Sequence, residues 1–153
     1  VKGDDSIMFM GEHSHTIDAK GRLILPAKFR EELGSSFIVT RGLEGCLSVY
    51  TMESWTNFAQ AMQKFTTSKG NVRAFKRFVF GSAAEVEFDR QGRILIPGNL
   101  REYAHLEKEV VVLGTGDKVE IWSKAVFDEY NAKTVPEMED IAETLDNSFD
   151  INF

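Results

Sequence analysis

The sequence predicts a mainly β protein with short helices, of the α+β class. Two tandem copies of one unit are expected to pair pseudo-symmetrically, with helices packed on the body. Three observations carry this expectation. First, "TIDAKGRLILPAKFR" (residues 16–30) superimposes on "EFDRQGRILIPGNLR" (residues 87–101) without a gap at a shift of 71 positions. Asp18/Asp89, Gly21/Gly92, Arg22/Arg93, Pro26/Pro97 and Arg30/Arg101 then coincide. Second, after one extra residue, "FIVTRGLEGCLSVYTMESWTNF" (37–58) lies over "EVVVLGTGDKVEIWSKAVFDEY" (109–130), matching Val39 with Val111, Gly42 with Gly114, Val49 with Ile121 and Tyr50 with Trp122. Third, the apolar stretches are short, alternate in several places, and close on Gly or Pro, as strands and turns do.

Each copy reads strand, turn, strand, short helix, strand, turn, strand, helix. Val86 and Phe88 alternate with Glu85, Glu87 and Asp89, the pattern of a half-buried strand. Asp-x-x-Gly-Arg supplies the turn: Asp accepts backbone N–H bonds two residues on, and Gly tolerates positive φ. Residues 23–25 and 94–96 are apolar without alternation, which predicts strands buried on both faces. Pro26 and Pro97 end these strands and suit the first turn of the helices "AKFREEL" and "GNLREYAHL". "CLSVY" and "KVEIW" alternate, with Leu47, Val49, Val119 and Ile121 inward. Alone, such a unit has a marginal core, so two units are expected to interlace.

The predicted boundaries are 8–54 for the first unit, 55–82 for a helical connection, 83–126 for the second unit, and 127–153 for a C-terminal helix and acidic tail. The connection carries Phe65, Phe75, Phe78 and Phe80 between bases, and reads as one or two amphipathic helices packed on the body with Arg73, Lys76 and Arg77 outward. In the tail, residues 135–145 suit a helix with Met138, Ile141, Ala142 and Leu145 in one stripe. "DNSFDINF" beyond it reads as mobile, although Phe149, Ile151 and Phe153 are able to dock.

Composition bounds the function. With 42% hydrophobic and 27% charged residues the chain can bury an ordinary globular core. No apolar run approaches the roughly 18 residues of a membrane span, and no secretion signal is apparent. The single cysteine, Cys46, cannot form an internal disulfide, which suits a reducing cytoplasm. Residues 1–7 precede two candidate start methionines, Met8 and Met10, and are left out of the fold reading. The net charge of −6 resides in residues 136–153, which hold six acids and no base. The remaining 18 acids balance 18 bases in residues 1–135. Within that neutral body, residues 16–30 hold four bases and one acid, and residues 64–77 hold five bases and no acid. Such local patches decide polyanion binding more than the total does.

A duplicated D-x-x-G-R-apolar-apolar-apolar-P unit resembles the AbrB-like swapped-hairpin fold, which implies two swapped-hairpin units forming one pseudo-symmetric β-barrel with helices packed outside. With the connection "VRAFKRFVFGSA" and the ending "VEIWSKAVFDEY", the tandem form resembles the MraZ family over residues 8–130. The resemblance implies a bacterial DNA-binding transcriptional regulator acting on the gene cluster for cell division and wall synthesis. It implies ring-shaped homo-oligomers, double-stranded DNA as partner, short tandem repeats as target, and a cytoplasmic, nucleoid-associated setting without a membrane partner. The Asp-x-x-x-Arg turns are the expected reading elements. Arg22 and Arg93 are then the base readers and Asp18 and Asp89 their positioners. Gly21 and Gly92 shape the turns, and Lys20 and Arg90 contact phosphate. Lys20 aligns with Gln91 and Arg90 with Ala19, so unequal contributions from the two turns are expected. The acidic tail is less typical, and nothing is carried over to it.

Other chemistries fit less well. His13 and His15 would share a strand face, but no further cluster completes a metal site, so no metal or cofactor is expected. Asp18 and Asp89 each have Lys or Arg within two residues, unlike a catalytic carboxylate dyad, and Cys46 has no nearby His, so no enzyme is expected. "GTGD" (114–117) lacks the Lys-Ser/Thr and helix of a phosphate loop and reads as a hairpin turn. The competing class is an oligomeric scaffold whose turns serve folding alone.

Overall fold

The computed structural model of the chain describes residues 7–149. The chain forms two compact units, Val1–Ser123 and Lys124–Phe153. In the first, the first copy contributes β1 (Phe9–Thr16), β2 (Arg22–Ile24), α1 (Ala27–Leu33), β3 (Ser36–Arg41), β4 (Leu47–Thr51) and α2 (Met52–Met62). After α3 (Gly70–Phe80), the second copy adds β5 (Ala84–Glu87), β6 (Arg93–Leu95), α4 (Gly98–Tyr103), β7 (Glu109–Gly116) and β8 (Val119–Ser123).

The copies interlace. The first strand of each pairs with the third strand of the other, β1 with β7 and β5 with β3. The central strands meet directly, β4 with β8 and β2 with β6. The result is a six-stranded antiparallel sheet in the order β1-β7-β8-β4-β3-β5, and a separate two-stranded ribbon of β2 and β6. A pseudo-two-fold axis passes through the pairs Leu23–Ile94 and Ser48–Glu120, in which each residue faces its own counterpart. The expected barrel is not closed by these ladders: β1 and β5 remain sheet edges, and the three-residue strands β2 and β6 pair only with each other. One core nevertheless joins sheet and ribbon. Leu23, Leu25, Ile94 and Ile96 from the ribbon and its ends pack with Val39, Val49, Val112 and Ile121 from the sheet.

The ladders correct three sequence expectations. Thr16 faces Glu109, while its counterpart Glu87 faces Ser36. Ser36 is therefore the equivalent of Glu109, and Phe37 takes the place of Val110, one position from the sequence alignment. Burial decides this register, since Phe37 and Val110 are both fully buried. The β7–β8 hairpin compensates, with four residues between Gly114 and Val119 against five between Arg41 and Leu47. Next, β2 and β6 are not buried on both faces. Leu23 and Ile94 are buried at 1% exposure, while Ile24 and Leu95 stand 45% and 58% exposed. Among the described residues of the unit nothing covers the outer face of the ribbon, so apolar composition hides a true alternation. Finally, Pro26 and Pro97 occupy the N-cap positions of α1 and α4, one residue before the first helical turn.

The connection contains two helices. Thr51 caps α2 by accepting from the Ser54 amide at 3.0 Å. Trp55 and Phe58 of α2 meet Tyr50 and Phe80 with ring centroids 5.1–5.8 Å apart. Arg41 anchors the end of α3 by donating from Nε to the Phe78 carbonyl at 3.0 Å while its guanidinium lies 4.6 Å from the Phe78 ring. Arg73 and Arg77 of α3 are exposed and Lys76 is half-buried.

The second unit holds α5 (Lys124–Thr134), a 3-10 turn (Val135–Glu137) and α6 (Met138–Phe149). Helix thus continues through residues 146–149, which read as mobile in the sequence. Met138, Ile141 and Leu145 are 38–46% exposed. The docking expected of Phe149, Ile151 and Phe153 lies outside the described side chains, as does the structure of residues 1–6.

Candidate nucleic-acid interface

The two turns are built alike. Asp18 Oδ1 accepts from the amides of Lys20 (3.0 Å) and Arg22 (2.8 Å), and its Oδ2 accepts from Arg22 Nε at 2.7 Å. Asp89 repeats this with the amides of Gln91 (2.9 Å) and Arg93 (2.8 Å) and with Arg93 Nε at 2.8 Å. The main chain closes each loop: the Asp18 amide donates to Arg22 O, and the Gly21 amide to Asp18 O. The Asp89–Arg93 loop has the same two bonds. Each carboxylate holds the turn amides with one oxygen and orients the guanidinium with the other.

These bonds set the electrostatics. The Arg22 amide hydrogen bond and then the Arg22 guanidinium hold the Asp18 carboxyl below the usual carboxylate range, against an upward push from partial burial. Asp89 is lowered in the same way by the Arg93 amide and side chain. Both carboxylates are ionised at neutral pH, and each is neutralised by its own arginine. Among the described residues no hydrogen bond engages the Nη atoms of Arg22 or Arg93, whose side chains are 34% and 28% exposed. A guanidinium anchored through Nε keeps its two-pronged Nη edge for another planar acceptor pair.

Gly21 and Gly92 have φ of +90° and +79°, the left-handed region in which a Cβ is strained. They also make room for the other copy. A Cβ on Gly21 would lie 2.6 Å from Arg101 Nε, and one on Gly92 would lie 3.2 Å from Arg30 Nε and Cζ. Arg101 donates from Nε to Ile96 O at 2.9 Å, and Arg30 from Nη1 to Leu25 O at 2.5 Å. Each arginine is thus tied to the end of its own ribbon strand and laid across the turn of the opposite copy. Sequence reasoning gave these two no role. The available signal was their coincidence at the last position of the repeated motif. Their placement evens the turns: the first gathers Asp18, Lys20, Arg22 and Arg101, the second Asp89, Arg90, Arg93 and Arg30. Each holds one acid and three bases, whichever turn position carries the extra base. Lys20 and Arg90 are exposed.

In the ribbon, Arg22 faces Leu95 and Arg93 faces Ile24. With Leu23 and Ile94 turned into the core, the four other side chains share the outer face. Arg22 and Arg93 are diagonal cross-strand neighbours, ~7–8 Å apart. Other sequence candidates lie elsewhere. "GTGD" ends β7, where the Thr115 amide donates to Lys118 O across the hairpin. Burial pushes the Cys46 thiol up to about 12, which leaves it protonated at neutral pH. His13 packs edge-on against Phe29. Among the described residues, no three His, Cys, Asp or Glu side chains gather as a metal site, and no helix is long and apolar enough to cross a membrane.

Fold and site together define a mainly β protein of two interlaced copies that presents two aspartate-anchored arginines on a two-stranded ribbon. The family described as "MraZ protein, putative antitoxin-like" matches residues 8–78 and again 79–148. A Moorella thermoacetica protein named transcriptional regulator MraZ is 54% identical over 138 residues, covering 90% of this chain and 96% of the relative. Relatives of the same name from a Thermoanaerobacter species and from Caldanaerobacter subterraneus are 53% and 51% identical over 140 residues, covering 92% of this chain and 98% of each relative. The chain belongs to the MraZ family of transcriptional regulators, a class that is not enzymatic.

Proposed function

We propose that the protein is a sequence-specific regulator that reads double-stranded DNA with the β2–β6 ribbon. One observation carries this reading: Arg22 and Arg93, each anchored through Nε by a carboxylate in its own turn, stand diagonally on the exposed face of a two-stranded antiparallel ribbon. The major groove of B-DNA admits such a ribbon, and an arginine fork pairs with guanine O6 and N7. Asp18 and Asp89 position the readers, Gly21 and Gly92 shape the turns, and Lys20 and Arg90 contact phosphate with Arg30 and Arg101 behind them.

One ribbon presents only two readers, a small footprint for tight binding. A closed homo-oligomeric ring repeats it, and several short tandem DNA repeats engaged together gain avidity without new contacts. The family points to the bacterial cell-division and cell-wall gene cluster as target, and so to a cytoplasmic, nucleoid-associated protein.

Selection of bound duplexes from random DNA, followed by titration of the winner against Arg22→Ala, Arg93→Ala and the double variant, tests this reading. Each single change is expected to weaken specific binding by about 1–3 kcal/mol, with a smaller effect on random DNA. Binding of the winner is expected to fall steeply with salt as counterions are released. Unchanged selectivity in the double variant would leave the turns a purely folding role and favour the scaffold.

A further inference from the structure

We propose that Ile24 and Leu95 are specificity determinants that read thymine 5-methyl groups beside the bases read by Arg22 and Arg93. The inference rests on the ribbon being the DNA-reading element, and it assigns the two ribbon positions that the arginines leave unexplained. Ile24 and Leu95 are 45% and 58% exposed, while the residues on either side of them, Leu23 with Leu25 and Ile94 with Ile96, are at most 1% exposed. Their side chains therefore point outward by strand geometry, and they add nothing to the core of the unit. Both copies place a large aliphatic residue here, where a polar one would satisfy the fold and favour solubility.

The surroundings select the occupant. Leu95 is the direct cross-strand partner of Arg22, and Ile24 that of Arg93. Directly opposed side chains lie ~4.5–5.5 Å apart at Cβ. Each arginine thus carries one aliphatic neighbour at little more than one base-pair step of ~3.4 Å. Asp18 and Asp89 are each paired with their own arginine, so Lys20, Arg101, Arg90 and Arg30 leave the rim of the face cationic. A cationic rim around an aliphatic pair complements a surface that is anionic at its edges and apolar at isolated points within. The major groove is such a surface, and its thymine methyl is the apolar group among the base edges. The pseudo-two-fold axis between Leu23 and Ile94 makes the two arginine–aliphatic pairs equivalent, so each reading half is expected to combine a guanine with a thymine within one or two base pairs.

The test uses the full-length protein and the duplex selected from random DNA, with each thymine replaced in turn by deoxyuridine, which removes only the methyl group. For the unaltered protein, loss of one contacted methyl is expected to weaken binding about fourfold, at one position per reading half and not elsewhere. Ile24→Ala and Leu95→Ala should each abolish the sensitivity at one of these positions while keeping Arg-dependent recognition of guanine. Indifference of the unaltered protein to every replacement, a selected site without thymine near its guanines, or unchanged sensitivity in both variants would overturn the inference. So would a change of oligomer mass in light scattering of the variants with the thymine pattern intact, which would assign the patch to contacts between copies. The arginine variants separate the two levels. If they retain selectivity, the reading of the ribbon itself fails; if they lose it while every methyl is silent, only the methyl readout fails.

Discussion

Gly21 and Gly92 occupy the same place in the two turns, yet alanine is expected to be far less tolerated at the first. Both backbones are left-handed, at φ +90° and +79°, which costs a residue bearing a Cβ about 1–2 kcal/mol. At Gly92 the nearest atoms to the new Cβ are Arg30 Nε and Cζ at 3.2 Å, and a small shift of that side chain relieves the contact. At Gly21 the Cβ would sit 2.6 Å from Arg101 Nε and 2.7 Å from Cζ, so Arg101 has to leave and its bond to Ile96 O is lost. A hydrogen bond from a charged donor contributes about 1.5–3 kcal/mol, and the lower end applies because Arg101 is half-buried and water takes its place. Gly21→Ala is therefore expected to destabilise by about 3 kcal/mol and Gly92→Ala by about 1.5 kcal/mol. Urea unfolding at one fixed protein concentration reads the difference as a shift of midpoint at constant slope. In an Arg101→Ala background, Gly21→Ala should fall to the backbone term of about 1.5 kcal/mol, a non-additive cycle between residues of opposite copies. Equal costs for the two glycines, or strict additivity with Arg101→Ala, would refute the packing of Arg101 on the first turn.

Two further outcomes follow from the charges. The lowered carboxyls of Asp18 and Asp89 contribute stability that is fully present above the unfolded value of about 3.9 and is lost as pH falls through their lower folded values. Asp18→Asn and Asp89→Asn should flatten the pH dependence of the unfolding midpoint below about pH 4, and an unchanged acid profile would show that neither carboxylate is held by its turn. Truncation after Val135 removes all six acids of the tail, which moves the net charge from −6 to zero. It is expected to tighten binding to random DNA at low salt, with the gain shrinking as salt rises and the melting temperature unchanged. A lower melting temperature without that gain would make the tail architectural.

What the sequence determined by itself is what chain-local geometry determines. An aspartate and a glycine placed to close a tight turn act locally, so the turns at Asp18–Arg22 and Asp89–Arg93 were legible from spacing, while the use of each carboxylate for both the turn amides and the arginine was not. The order of elements in each copy was legible as well, because period and breaker residues act locally. That the two copies must interlace was also legible, since neither can bury its apolar strands alone. Tertiary structure decided the rest. Apolar composition says that a strand needs cover but not on which face, and only the pairing of β2 with β6 leaves Ile24 and Leu95 outside while Leu23 and Ile94 go in. Register followed burial of Val110 rather than the best residue-by-residue match, which moved β7 by one position. The crossing of Arg30 and Arg101 onto the opposite turns depends on residues 62 and 80 positions apart in the chain meeting across the pseudo-two-fold axis. No local pattern encodes such a contact, because its energy exists only once the two copies have packed together.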